Sequence, residues 1–391
     1  MLPRLPVYIL ISWPVLLVQG STADPSKKSP AAPTRPPSRP PPPLGDPSWA
    51  LGLHLYQALR SDSISVNTLF SPLLVASSLG ALDGGSAGTT SSQLKDLIKT
   101  PSPSKAGAHT GDLLSQALKS FTAANGTSFH LHTSSALFSK QAPPVSQAFV
   151  KESQARFRLL HHPLGKGDST ADLKQLHGWA KAGLGGLEGA PLAAYIQAKA
   201  GALILANALH FKGLYRHHED IENMVQVLEA PLCGGKASVV LLMPFHVESL
   251  ARLEKLLTLE LLSKWLEKTN ITSVSISLPV TNITSTLSLQ KQLSALGLTD
   301  AWDQKVADFS GVSDKGKGKL HLGGVLHWAS LELAAQAGKG DADLEEENIE
   351  KPKLFYADHP FIIFVRDNTT GALLLMGALD HVEGEALHDE L

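Results

Sequence analysis

Apolar residues recur with helical spacing from Ser48 to Leu59, where Trp49, Leu53, Tyr56 and Leu59 form one stripe behind an Asp-Pro-Ser start. A second helix is expected over Phe70 to Leu82, opened by Ser71-Pro72, and a third over Ser91 to Ile98. Ser128 to Phe138 alternates in places like a strand, and the spacing is helical again over Leu173 to Leu184. Ala202 to Phe211 is a mostly apolar run of strand length, which fits a buried strand. Farther on, the pattern predicts a strand at Val239 to Met243, a helix over Glu248 to Lys268, a strand at Val274 to Leu278 and a group of strands from Val325 to Leu379. Helices first and strands later, in irregular order, predict an α+β domain around a mainly antiparallel sheet.

The two ends break this pattern. Arg4, an apolar run from Leu5 to Val18 containing Pro6 and Pro14, and Ser21-Thr22-Ala23 read as a cleaved signal peptide over residues 1–23. Residues 24–47, with Pro36-Pro37, Pro40 to Pro43, Lys27, Lys28, Arg35 and Arg39, read as a disordered, polyproline-leaning arm. That arm is either a solvated spacer or a basic peptide that touches a partner. Residues 48–381 follow as one domain without a second linker, and residues 382–391 form a tail ending in His388-Asp389-Glu390-Leu391. That tetrapeptide is an address read by the retrieval receptor of the endoplasmic reticulum, so a lumenal protein without membrane insertion is expected.

Composition agrees with that compartment and narrows the partners. Sequons begin at Asn125, Asn270, Asn282 and Asn368, and Cys233 is the sole cysteine, so no internal disulfide supports the fold. With 43% hydrophobic and 18% charged residues and a net charge of -2, nothing calls for nucleic acid or an anionic membrane. A monomer is expected. Gly84-Gly85-Ser86-Ala87-Gly88 satisfies a serine-hydrolase pattern, but that elbow must follow a strand and here a helix precedes it. His130 and His132 supply two imidazoles where zinc needs more ligands, and no phosphate-binding glycine loop follows a strand. The expectation is therefore no enzyme, no metal and no cofactor.

Three ordered motifs carry a resemblance. Asn67-Thr68-Leu69-Phe70-Ser71-Pro72 with Gly84 to Thr90 and Gln93, then Asn207-Ala208-Leu209-His210-Phe211-Lys212-Gly213, then Phe355-Tyr356-Ala357-Asp358-His359-Pro360-Phe361, resemble serpins over about Trp49 to Leu379. The resemblance implies the serpin fold, with a helical N-terminal block. The tail and the string Leu354 to Asp358 are most similar to the collagen-binding reticulum branch, clade H, which implies a procollagen chaperone. The alternative is a protease-inhibiting serpin retained by its tail.

Inhibition would require the loop over Ala334 to Glu350 to insert as a strand, and its residues resist that. Gly338 and Gly340 weaken a strand, and Asp341, Asp343 and Glu345 to Glu347 would bury charges without partners. If Leu354 to Asp358 is extended, Phe355 and Ala357 share one face while Leu354, Tyr356 and Asp358 share the other. An aliphatic group, an aromatic ring and a carboxylate in a row suit an exposed guanidinium beside small apolar surface, such as arginine at Y on a procollagen triple helix. The alternative is that Asp358 caps a turn and Tyr356 packs. The resemblance implies that Leu354, Tyr356 and Asp358 are the collagen contacts.

Histidine at His217, His218, His246 and His359 offers a pH-dependent release, because imidazole titrates between neutral and mildly acidic compartments. Ordinary surface histidines are the other reading. One departure from the family stands out. Between Phe211-Lys212 and Val225 to Pro231 only Gly213 to Met224 intervenes, so about 30 residues of strand and turn are missing near residues 212–213. That loss predicts unpaired strand edges. The resemblance also implies that the missing stretch would carry an arginine at the collagen interface.

Overall fold

A computed structural model of the chain describes residues 46–62, 67–99, 110–122, 131–165, 169–186, 199–212, 217–220, 224–232, 236–245, 248–269, 274–277, 281–333, 353–357 and 359–380. The helices are α1 (Pro47–Asp62), α2 (Pro72–Asp83), α3 (Gly88–Leu97), α4 (Thr110–Thr122), α5 (Gln147–Phe157), α6 (Ser169–Gly183), α7 (Leu250–Leu256), α8 (Leu259–Lys268) and α9 (Gln290–Ala295). The strands are β1 (Thr68–Phe70), β2 (Leu131–Lys140), β3 (Leu159–Leu164), β4 (Ala202–Lys212), β5 (His217–Asp220), β6 (Val225–Leu232), β7 (Ala237–Pro244), β8 (Val274–Ser277), β9 (Thr281–Ser288), β10 (His321–Leu333), β11 (Lys353–Tyr356), β12 (Phe361–Asp367) and β13 (Leu373–Leu379).

Local chemistry sets the helix limits. Ser71 is extended, its Oγ accepts from the Leu74 amide at 3.3 Å, and Pro72 occupies the first helical position, where its missing N–H costs nothing. Every residue of α2 from Pro72 to Leu82 is buried, so this helix runs through the interior. The single helix expected over Glu248 to Lys268 is two. Ser249 caps α7, Leu257 turns extended into the core, and the Thr258 hydroxyl accepts from Leu261 to start α8 afresh.

Three sheets are present among the described residues. One has six strands in the order β1-β13-β12-β7-β6-β5, all antiparallel. A second runs β3-β2-β4-β10-β9, with β2–β3 and β4–β10 parallel. The third is the parallel pair β11-β8. The architecture is α+β, with parallel pairing added to the expected antiparallel pattern.

The β4–β10 pair occupies the interior of the five-stranded sheet, in register from Ala202↔His321 to Lys212↔Glu332 with one irregularity between Leu322 and Gly324. Gly201 leads into it at a φ of +84°, where a Cβ would lie 2.0 Å from the Lys319 carbonyl, so only glycine lets the two chains start this close. Residues 202–209 are all buried because both sheet faces are covered. The main core lies on one face; α6 lies on the other, where Leu176, Ala180 and Leu184 meet Phe138, Ile204, Ala206, Leu326 and Trp328. Trp179 packs edge-on against Phe138 at 5.8 Å and faces Trp328 at 6.3 Å. Beside these rings Lys140 Nζ donates to both oxygens of Asp172 at 2.8 and 2.7 Å, and both residues are buried. An amine and a carboxylate removed from water this far are stable only because each neutralises the other.

A second buried polar link joins β10 to α2. His327 is fully buried, and its Nε2 accepts the Ser71 amide at 2.9 Å. Burial pushes this imidazole down to about 3, so it stays neutral and acts as an acceptor. Elsewhere Arg60 of α1 bonds Glu254 at 2.6 Å and both oxygens of Asp380 at 2.6 and 2.7 Å, fastening the end of β13 to α1 and α7.

Candidate functional site

The segment singled out by sequence, residues 354–358, begins in β11. This strand pairs parallel with β8, with Lys353 opposite Val274, Leu354 opposite Ser275, Phe355 opposite Ile276 and Tyr356 opposite Ser277. Phe355 is fully buried and Ala357 is 5% exposed, which fixes the rotation of the strand about its axis. Asp358 lies outside the described residues.

The turn after this segment is tied down. His359 is half-buried, and its Nε2 lies 2.6 Å from the Pro244 carbonyl at the end of β7. A carbonyl only accepts, so Nε2 carries the hydrogen, and any further proton would go to Nδ1. Pro360 follows, and Phe361 opens β12 fully buried. Residues 353–357 are thus held from both sides, by a buried phenyl ring and by a turn anchored on the six-stranded sheet. The burial of Phe355 and Ala357 agrees with the alternation read from the sequence, and the aromatic ring of Phe355 sets the geometry of the strand.

The other expected residues are dispersed. His217 and His218 lie on β5, the edge strand of the six-stranded sheet, opposite Leu228 and Val227. His246 lies outside the described residues, as do Asn125, Asn270, residues 1–45 and the tail with His388 to Leu391. Asn282 is on β9 opposite Glu332. Asn368 sits in the tight turn between β12 and β13, half-buried, with Nδ2 donating to Ser238 Oγ at 2.7 Å. Ser86 follows α2, not a strand, and its hydroxyl donates to the Asp83 carbonyl at 3.1 Å. That is a turn, without the strand-to-helix elbow a nucleophilic serine requires. His132 is on β2, while His130 and Cys233 lie outside the described residues. Among the described residues no three His, Cys, Asp or Glu side chains converge to hold a metal ion, and no helix is long and apolar enough to cross a membrane.

The loop that would have to insert, residues 334–352, joins β10 to β11 and lies outside the described residues. Its acceptor would be the interior of the five-stranded sheet. There β4 and β10 pair directly to Glu332↔Lys212, so no gap waits between them.

Comparison with known proteins gives a family match. The model of the family described as Serpin (serine protease inhibitor) matches residues 48–218 and again 212–382, and the two matches meet where about 30 residues are missing by sequence. Serpin H1 of Mus musculus is 34% identical over 382 residues, covering 89% of this chain and 90% of its own length. Serpin H1 of Gallus gallus is 33% identical, covering 89% and 93%. Leukocyte elastase inhibitor A of Rattus norvegicus is more distant, at 27% identity over 83% of this chain and 96% of its own length. Among solved structures, a tumour-suppressing serpin superposes with a TM-score of 0.72 at 19% identity, covering 86% of this chain and 98% of that one. Human thyroxine-binding globulin does so with a TM-score of 0.74 at 17% identity, covering 87% and 99%. At these identities the structures speak for the fold.

Proposed function

The chain belongs to the serpin family, and from that premise we propose that it is a non-inhibitory member that chaperones procollagen in the lumen of the endoplasmic reticulum. The observation that supports this reading is the burial of Phe355 and Ala357; by the alternation of the sequence, Leu354, Tyr356 and Asp358 are read as the opposite face. Leucine, tyrosine and aspartate on that face suit a triple helix with arginine at Y. Its polyproline-like chains turn X and Y side chains outward, and the carboxylate of Asp358 pairs with the guanidinium. Such a charge-assisted contact contributes about 1.5–3 kcal/mol when well placed. The interface arginine that the resemblance implies falls in the stretch missing near residue 212, and no residue of this chain matches it, so the proposed contact consists of these three residues.

Lack of inhibition is supported by the loop sequence, in which Gly338, Gly340 and the acidic run to Glu347 are costly to bury as a strand. The signal peptide, the sequons and the HDEL tail support residence in the reticulum and retrieval by its receptor. Release in a more acidic compartment falls to imidazoles: His359, next to Asp358, would compete as a cation for the same carboxylate, and His217 and His218 are further candidates.

The test is retention of the purified chain on triple-helical peptides with arginine or alanine at Y. Retention on the arginine peptide alone, weakening about tenfold between about pH 7.4 and 6.0, is expected. Equal retention on both peptides overturns the contact. An SDS-stable complex with any serine protease would overturn the non-inhibitory assignment.

A further inference from the structure

The third sheet differs from the other two in having only two strands among the described residues. It is parallel and four residues long. A lone pair of strands is marginal in water, and parallel pairs occur almost always inside larger covered sheets. β11 gains support from Phe355 in the core and from the anchored turn at His359. The second edge of β8 pairs with no described strand, which leaves main-chain donors and acceptors to be satisfied there.

Edge strands are ordinarily guarded by charge, proline or a bulge. Val274-Ser275-Ile276-Ser277 has none of these: it is uncharged, free of proline, and rich in β-branched residues. The shortened connection runs between β4 of the five-stranded sheet and β5 of the six-stranded one.

We propose that β8 pairs antiparallel with β8 of a second copy of this chain across a two-fold axis, giving a four-stranded sheet in the order β11-β8-β8-β11. A two-fold presents identical edges to each other in antiparallel sense, so Val274 meets Ser277 and Ser275 meets Ile276 of the second copy. No like charges oppose one another, and the two β8 edges are consumed together, so pairing through β8 closes at the dimer. About four main-chain hydrogen bonds form over so short an edge, which makes the dimer weak, in the micromolar range. The pairing does not depend on the collagen reading, although it would set two copies of the 353–357 segment on one sheet.

Sedimentation of the full chain from about 1 to about 100 µM, with hydrogen exchange at both ends of that range, tests the proposal. A mass that doubles with concentration while the amides of residues 274–277 gain protection is the expected result. Ser275→Lys, which adds the missing edge charge, should hold the chain monomeric at an unchanged melting temperature, whereas Ser275→Thr should still dimerise. Should Ser275→Lys fail to fold, the exchange data on the parent chain decide. A monomer throughout, a dimer whose 274–277 amides ignore concentration, open-ended aggregates, a Ser275→Lys protein that folds and still dimerises, or capture of an extended peptide at this edge without self-association would each overturn it.

Discussion

The β4–β10 pair and the β11–β8 pair are both parallel, and one loop, residues 334–352, leads from the first to the second. They are otherwise opposites. β4–β10 runs eleven residues along β4, has other strands on both sides and is covered on both faces. β11–β8 runs four residues, makes up its whole sheet among the described residues, and is held by one ring and one turn. Stability resides where pairing and burial are continuous, and the β4–β10 pair has both over a longer run. A serpin that inhibits must be able to open the central sheet to the loop, and the acidic, glycine-bearing loop of this chain works against that opening.

The sharpest way to break the comparison is acid, because the central sheet contains a group that resists protonation. His327 has its folded pKa pushed down to about 3 against an ordinary 6.5, so its contribution is fully present above pH 6.5 and is lost as pH falls toward 3. Denaturant melts across that window should lose about 4–5 kcal/mol from this residue, and His327→Gln should flatten the curve. Next in size, Asp172→Ala leaves Lys140 charged beneath α6 and should cost about 3–5 kcal/mol, with Lys140→Met in the same chain restoring part of it. Phe355→Ala removes the anchor of the small sheet; a loss of about 3–4 kcal/mol in melts is expected, together with loss of triple-helix retention. Smallest, and most pointed, is Asp358→Asn. It should weaken binding to the arginine peptide by about 1.5–3 kcal/mol while the melting temperature stays unchanged, which separates recognition from folding.

Much of the frame was legible in the chain. The stripe at Trp49, Leu53, Tyr56 and Leu59 became α1, Ser71-Pro72 became the start of α2, and the apolar run from Ala202 became β4, because each signal is local and one-dimensional. The period-two reading of Leu354 to Asp358 correctly assigned Phe355 and Ala357 to the core. Helix α4, helix α5 and strand β3 were not foreseen. β3, Leu159-Leu160-His161-His162-Pro163-Leu164, carries a proline and two histidines and mimics a loop, yet it pairs parallel with β2 at the sheet edge, where a proline is tolerated. Lys140 lies just past the strand expected over Ser128 to Phe138, and its pairing with Asp172 of α6, 32 residues away, is not visible in local spacing.

Spacing along the chain, then, determined where elements begin and end and which side of each is apolar, since backbone propensity, caps and side-chain alternation act over a few residues. The tertiary structure alone decided that β4 lies beside β10 with α6 as a lid, that Lys140 finds Asp172, and that β8 pairs with β11. Those outcomes turn on which distant surfaces cover one another, and an alternation pattern states that a face must be buried without saying by what.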